Sequence, residues 1–119
     1  MAIMAIVVVV VLVIAVVLIL PKPPEPTLDQ PPSAPMNLSA QSGDKIITLS
    51  WQPPADNGSS PVKNYRVYRG TVPGALTKIW ELDKALSYTD GGLENGQPYF
   101  YKVSAANSAG EGARSTQAT

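Results

Sequence analysis

The chain has no cysteine and no histidine among its 119 residues. Without cysteine it has no disulfide, no thiol nucleophile and no zinc–thiolate site, and the redox compartment stays open because disulfide-free domains occur on both sides of a membrane. Without histidine, no histidine-based nucleophile–base pair can be formed. Nine basic residues balance nine acidic ones and no basic block is present, so nucleic acid is not predicted as a partner.

The remaining polar residues form no motif that is typical of catalysis. The sequence Asp56-Asn57-Gly58 lacks the spacing of a calcium loop, and the paired glycines precede no helix that could cradle a phosphate. We expect the acidic side chains of the domain to lie singly in turns and on outer faces. These are Asp44, Asp56, Glu81, Asp83, Asp90, Glu94 and Glu111. The chain is therefore predicted not to be an enzyme and to need no cofactor, metal or small-molecule substrate.

The N-terminus is an unbroken apolar run, Met1–Leu20, without charge, glycine, proline or hydroxyl. As a helix it would be about 30 Å long, the thickness of a bilayer's hydrocarbon core. No basic residue precedes the run and no small-residue cleavage site follows it, which favours an uncleaved anchor over a signal peptide. We predict a transmembrane helix over 1–20 that ends at Pro21, with membrane lipid or other apolar helices as its partners.

A proline-rich segment, residues 21–34, follows the apolar run. Proline at this density disfavours helices and sheet ladders and favours polyproline II, which makes a semi-rigid spacer. We interpret the segment as a stalk between membrane and domain. The P-x-x-P spacing that begins at Pro21 leaves a second interpretation open, in which the segment is a ligand for a partner domain.

From residue 35 onward, short alternating runs are separated by Gly, Pro, Asn and Asp, and no helical period is present. This pattern predicts an all-β, two-sheet sandwich. The predicted strands are Ile47–Trp51, Tyr65–Tyr68, Lys78–Leu82, Tyr88–Thr89 and Tyr99–Ala105, with a short last strand after a hairpin loop at 108–112. A loop is predicted at 70–74.

Four separated motifs occur in the order that a known family shows. They are Pro35-x-x-Leu38, Leu49-x-Trp51, Tyr65-x-Val67-Tyr68-Arg69, and a long run from Leu93 through Gly96, Tyr99, Tyr101, Val103, Ala105 and Asn107 to Gly110. Together they resemble a fibronectin type III domain, most closely the versions attached to bacterial and archaeal secreted or surface proteins. The resemblance implies a seven-stranded immunoglobulin-like sandwich over residues 35–119 that serves as a spacer or binding module.

The resemblance also implies roles for individual residues. Leu93, Gly96 and Tyr99 look like the family's tyrosine corner, in which the tyrosine hydroxyl bonds to nearby backbone. Trp51 is expected to lie between the sheets. The predicted core residues are Trp51, Tyr65, Val67, Leu93, Tyr99, Tyr101 and Val103.

Three surface features remain open in the sequence. Trp80 is a candidate contact residue if it is exposed and a structural residue if it packs on the sheet edge. Asn57 and Asn37 begin N-x-[ST] patterns and are candidate glycosylation sites, with Asn57 placed in a flexible turn. The C-terminal stretch 113–119 is weakly apolar, so the last strand is either simply short or completed by a neighbouring chain.

These features together predict a non-catalytic, single-pass membrane protein that displays its domain for contact with other proteins. A small accessory subunit of a larger membrane complex is one form of this function. Lys22 alone would place the C-terminus in the cytoplasm, but the domain type favours the outside, so we expect an extracellular domain. The alternative is a subunit of an extracellular filament, pilin-like or archaeal flagellin-like, whose apolar helices form the core.

Overall fold

The structure is a computed structural model that describes residues 28–119. The predicted transmembrane helix over 1–20 and the first part of the predicted stalk, through Thr27, lie outside the described residues. Within the described part, no helix is long and apolar enough to cross a bilayer.

Residues 28–119 form an antiparallel β-sandwich. The strands are β1 (Met36–Ser42), β2 (Ile47–Gln52), β3 (Asn64–Val72), β4 (Ala75–Asp83), β5 (Ser87–Asp90), β6 (Phe100–Asn107) and β7 (Gly110–Glu111). One sheet has the order β1-β2-β5 and the other β4-β3-β6-β7. The predicted all-β immunoglobulin-like sandwich is confirmed.

Strand β2 shows how the alternating pattern produces the core. Ile47, Leu49 and Trp51 are buried while the residues between them are exposed, because successive side chains of a strand point to opposite faces of the sheet. The same period places Tyr101 and Val103 of β6 inside. A sandwich needs large apolar side chains only on the inner face of each sheet. A chain with few such residues after its N-terminal run can therefore still form a core.

The core lies between the two sheets. Trp51 is 4% exposed, and its ring centroid lies 5.6 Å from that of Tyr65 in a tilted arrangement, a favourable geometry for two aromatic rings. Of the other residues expected in the core, Val67, Leu93, Tyr101 and Val103 are buried, and Tyr99 is partly buried against the same cluster. The Trp51 indole N–H has no hydrogen-bond acceptor among the described residues, so Trp51 contributes through apolar packing.

The turn after Leu93 contains the hydrogen bond that the tyrosine corner implies. The Glu94 backbone N–H donates to the Tyr99 hydroxyl oxygen at 2.9 Å. Gly96 lies between them with φ of +85°, in the left-handed region that a side chain disfavours. The bond connects the residue before β6 to the first half of the loop that crosses from the other sheet.

The loop predicted at 70–74 is shorter than expected. Strand β3 ends at Val72 and strand β4 begins at Ala75, so the turn between them consists of Pro73 and Gly74. Gly70 lies within β3, where a Cβ would stand 2.2 Å from the Ala75 carbonyl oxygen. This glycine therefore permits a close approach of two backbones rather than marking the start of a loop.

The prediction of a last strand after residue 112 was wrong. Strand β7 lies inside the predicted hairpin loop, at Gly110–Glu111, and the chain turns at 108–109. Beyond it, the segment follows β6 through a few bonds: the Ser115 N–H donates to the Val103 carbonyl at 2.7 Å, and Ala118 pairs with Tyr101.

Candidate functional site

Trp80 lies on β4, the edge strand of the four-stranded sheet, and is 54% exposed. Its ring stacks on Tyr88 of β5, the edge strand of the other sheet, with ring centroids 6.2 Å apart and ring planes 17° apart. Ile79 and Leu82 on the same strand are partly buried against the core. The aromatic pair thus covers the gap between the two sheets on one side of the sandwich while presenting about half of Trp80 to solvent. Trp80 therefore packs on Tyr88 and also remains half exposed, and its use as a contact residue stays a prediction.

The described residues contain no cluster of three or more acidic, histidine or cysteine side chains that could hold a metal ion. The expectation that the acidic residues lie singly in turns and on outer faces was nevertheless wrong for Asp90, which is buried, and for Glu111, which lies on an outer face but not singly. Each is surrounded by hydrogen-bond donors from other strands.

Asp90 joins the two sheets. It ends β5 of the three-stranded sheet and is 4% exposed. Arg69 of β3 donates from Nη1 to both of its carboxylate oxygens, at 3.0 and 2.9 Å, and the Tyr101 hydroxyl of β6 donates at 2.7 Å. The hydrogen bond with Asp90 raises the pKa of Arg69 above its ordinary value. Burial raises the pKa of Tyr101, and the bond to Asp90 raises it further, so both donors keep their protons at neutral pH.

Glu111 of β7 is the shared acceptor of a polar network on the outer face of the four-stranded sheet. The hydroxyls of Tyr68 and Ser104 donate to its Oε2, and Arg66 Nη1 lies 3.3 Å from its Oε1. Arg66 also donates from Nε to Glu81 Oε1 at 2.8 Å. Burial alone would raise the pKa of Glu111, but the bonds from Ser104 and Tyr68 and the charge of Arg66 outweigh it, so the pKa lies below its ordinary value.

The side chain of Arg114 covers the solvent-facing side of the Glu111 network. The Arg114 guanidinium lies 3.7 Å from the centroid of the Tyr68 ring, within the range of a cation–π contact. Tyr68 is therefore buried although it points away from the core. The irregular segment after β7 thus closes a polar network on the outside of the sheet.

The Glu111 network should make stability depend on acid pH. Because the folded-state pKa of Glu111 is depressed, the ionised network stabilises the fold above the ordinary carboxyl value near 4.5, and this contribution is lost as pH falls through the lower folded-state pKa. Replacing Glu111 by Gln should lower the free energy of unfolding at pH 7 by about 1–2 kcal/mol. The same variant should lose less stability than the wild type between pH 5 and about pH 2.

Urea unfolding, followed by tryptophan fluorescence at several pH values, measures both effects. The Tyr68→Phe variant is the intermediate case, since it removes one of the two hydroxyl donors and keeps the carboxylate. Parallel pH profiles for wild type and Glu111→Gln would contradict the assignment.

The last residues of the predicted stalk contact the sandwich. We call residues 30–33 the proline strap. The Gln30 carbonyl accepts from the Ser59 N–H at 3.0 Å and from the Asn107 side-chain amide at 2.8 Å, and the Ser33 N–H donates to the Asp56 carbonyl at 2.8 Å. Pro32 is buried. The strap therefore lies across the end of the sandwich where the loops after β2 and β6 meet.

Two glycines make room for the strap. A Cβ on Gly112 would stand 1.8 Å from the Pro32 carbonyl oxygen, and one on Gly58 would stand 2.2 Å from that of Gln30. Both distances are far below any contact that real Cβ atoms make. Sequence reasoning placed both glycines in turns and missed this packing.

Both candidate glycosylation residues are exposed. The Asn37 side chain donates to Gln52 Oε1 at 2.7 Å, and its φ of +54° lies in the left-handed region, so one of the two hydrogens on its side-chain nitrogen is already engaged. Asn57 lies in a turn whose backbone contacts Asn107 and the strap, so this turn is held by several bonds. The use of either site stays a prediction.

Comparison with known proteins settles the family. The family model described as "Fibronectin type III domain" matches residues 33–119. The chain belongs to the fibronectin type III family. Its relatives include titin of Drosophila melanogaster, 40% identical over 70% of this chain and 0% of that protein's length after rounding. Exoglucanase B of Cellulomonas fimi is 38% identical over 66% of this chain and 7% of that protein.

A solved structure gives a closer match in length. The Fn3-like protein from Clostridium thermocellum is 30% identical, with a TM-score of 0.64 over 75% of this chain and 91% of that one. The chain therefore spans a small fraction of its large relatives but nearly all of this small one. The relatives include both animal and bacterial proteins, so the bacterial or archaeal surface type stays a prediction.

The fibronectin type III domain is a protein-interaction fold, and the described residues offer two features through which such contact can occur. One is the exposed aromatic pair Trp80–Tyr88. The other is the charged outer face around Glu111 and Arg66. The sequence offered a signal for Asp90. It lies two residues after Tyr88 in the same strand, so alternation places both side chains on the inward face. Nothing in the sequence marked the partners of Glu111.

Proposed function

We propose that this protein is a non-catalytic, single-pass membrane protein that presents a fibronectin type III domain for contact with other protein subunits. In this proposal residues 1–20 anchor the chain, the proline-rich segment separates the domain from the bilayer, and the domain lies outside the cell. A small accessory subunit of a larger membrane complex is the form that we favour. No small-molecule substrate or nucleic acid is part of the proposal.

One observation carries it: an apolar run of 20 residues precedes a domain that buries its own core without that run. Ile47, Leu49, Trp51 and their neighbours fill the space between the sheets, so the domain requires no apolar segment from residues 1–20. An apolar run that no core requires is best explained by an apolar environment elsewhere.

Detergent phase partitioning tests the anchor. The full chain is expected to enter the detergent phase, and a variant lacking residues 1–20 is expected to stay in the aqueous phase with the near-ultraviolet signal of packed tryptophan. Because the shortened variant keeps the whole domain, it is the matched control. A full chain that remained in the aqueous phase would contradict the proposal.

The same preparation distinguishes the forms of the function. A larger protein that copurifies at fixed stoichiometry in mild detergent supports the accessory subunit, whereas sedimentable fibres support the filament. Because the natural chain lacks cysteine, Thr71→Cys provides a single exposed thiol. Its labelling by an impermeant reagent on intact cells would place the domain outside, and labelling only after lysis would place it inside.

A further inference from the structure

Among residues 28–119, strand β4 has one long edge to which no other strand is paired. It has nine residues, contains no proline and has a hydrogen-bonded neighbour, β3, on one side. An edge strand of this length exposes a row of backbone N–H and C=O groups that can pair with another strand. At the opposite edge of the same sheet, β7 has two residues and the C-terminal segment follows β6 beyond it.

A β-bulge sets which side chains of β4 share a face. Val67 pairs with Trp80 but the next residue of β3, Tyr68, pairs with Lys78, so Ile79 is the extra residue of a β-bulge. Ile79 packs on the core and Trp80 stacks on Tyr88 of the other sheet. Both residues therefore lie on the inner side.

The bulge consequently places two opposite charges on the outer face. Lys78 lies opposite Tyr68, and Glu81 lies opposite Arg66. Tyr68 and Arg66 both belong to the Glu111 network on the outer face. Without the extra residue, positions 78 and 81 would point to opposite faces. The central four residues of β4 are therefore an outward cation, Lys78, two inward apolar residues, and an outward anion, Glu81.

We propose that β4 pairs antiparallel with β4 of a second copy of this chain, about a twofold axis between Ile79 and Trp80. In this register Lys78 lies opposite Glu81 of the second copy, and the reciprocal pair forms as well, because the axis makes the contact self-complementary. Ile79 lies opposite Trp80 of the second copy, and the two bulges coincide. The four-stranded sheets of the two copies then form one continuous sheet.

The charges select this pairing over others. A shift of one residue would place Lys78 opposite Trp80 of the second copy and lose both ion pairs, because register in a sheet changes in steps of one residue. Charges on an edge strand ordinarily oppose association with other strands. Here an antiparallel copy of β4 presents the same two charges in the opposite order. Each Lys78 then faces a Glu81, so β4 is complementary in charge to a second β4. The Glu81 carboxylate accepts from Arg66 through Oε1, which leaves Oε2 for Lys78 of the second copy.

Charge reversal tests the register. The two variants are Lys78→Glu and Glu81→Lys, each made in the full chain with and without an affinity tag. Each variant alone opposes like charges in both pairs and should weaken self-association at least about fivefold, the factor expected for two exposed ion pairs. Mixing Lys78→Glu with Glu81→Lys restores both attractions, so capture of the untagged by the tagged chain should return to the wild-type level or exceed it.

A matched pair of variants controls for general charge attraction. Lys45→Glu and Glu94→Lys make the same changes in charge at exposed residues away from β4, and mixing them should leave capture at the wild-type level. Association through residues 1–20 is common to all variants and cancels in the comparison. Single variants that associate like the wild type, or a control mixture that gains as much as the test mixture, would overturn the proposal.

Introduced cysteines give a second measurement that does not depend on Arg66 keeping its partner. Chains carrying Lys78→Cys and Glu81→Cys should form a disulfide when mixed, since directly opposite residues lie within bonding distance. Lys78→Cys alone should not, because the two positions 78 are offset along the paired strands. Equal disulfide formation in both cases would overturn the register. This contact uses only residues of β4 and their neighbours, so it stands or falls independently of membrane anchoring.

Discussion

Replacing Asp90 by alanine should lower the free energy of unfolding by about 3 kcal/mol. This is the lower end of the range of about 3–5 kcal/mol that is expected when one partner of a buried, hydrogen-bonded ion pair is removed. The carboxylate receives two bonds from Arg69 and one from the Tyr101 hydroxyl, and it is the point where β5 is joined to β3 and β6. Its loss leaves a cation and a buried hydroxyl without their acceptor. The side chain of Arg69 is one-third exposed, which allows some rehydration and keeps the loss below the upper end of the range.

Chemical denaturation followed by tryptophan fluorescence measures the change. Asp83→Ala is the matched control, because it removes an exposed carboxylate near the end of a strand and should change stability by less than about 0.5 kcal/mol. A double-mutant cycle with Arg69→Met isolates the pair from the rest of the site. A loss below about 1 kcal/mol for Asp90→Ala, or additivity in the cycle, would show that the pair does not hold the sheets together.

Replacing Gly112 by alanine should lower the free energy of unfolding by about 2–3 kcal/mol. The new Cβ would overlap the Pro32 carbonyl oxygen, 1.8 Å away, so the proline strap must leave its place. The strap is held by bonds to Gln30 and Ser33 from the loops around Ser59 and Asp56, and each such bond contributes about 1 kcal/mol.

Gly91→Ala is the control for this substitution, because the nearest atom to a Cβ there, on Ile46, is 4.0 Å away. Hydrogen exchange gives the local readout. In Gly112→Ala the amides of Ser33 and Ser59 should lose protection while the amide of Leu49, in β2 between β1 and β5, keeps it. Unchanged protection of Ser33 and Ser59 would show that the strap tolerates the methyl group and that the loss, if any, has another origin.

The bonds of the proline strap shorten the proposed stalk. The segment before the domain would be a semi-rigid spacer only up to residue 29, and from Gln30 it would move with the sandwich. The direction in which the chain enters the domain is then set by Asn107, Ser59 and Gly112. In the proposed function, a spacer joined in this way would orient the domain as well as separate it from the bilayer.

The fold followed from short-range information. Alternation at Ile47, Leu49 and Trp51 identified β2, and the run from Tyr99 to Ala105 identified β6, because a strand that packs on one side must place its apolar residues two apart. Four short motifs in a fixed order, from Pro35 to Gly110, indicated the family, and the one that contains Leu93, Gly96 and Tyr99 marked the corner. Each of these signals lies within about ten residues of chain, which is why it can be read without coordinates.

The functional details depended on residues that are distant in sequence. Asp90 reads as part of a turn before two glycines until Arg69 and Tyr101 are placed beside it, 21 and 11 residues away in the chain. Glu111 reads as a solvated loop residue until Tyr68, 43 residues earlier, donates to it. The bulge at Ile79, which brings Lys78 and Glu81 to one face, is visible only in the pairing of β4 with β3.

By itself, then, the sequence determined that this protein is a fibronectin type III sandwich behind an apolar run and a proline-rich segment, because periodicity, proline and local motifs act through neighbouring residues. Only the tertiary structure decided which charges are buried, where the strap rests and which face of the edge strand each side chain occupies. Those properties depend on which strands become neighbours, and strand pairing brings together residues whose separation along the chain carries no local signal.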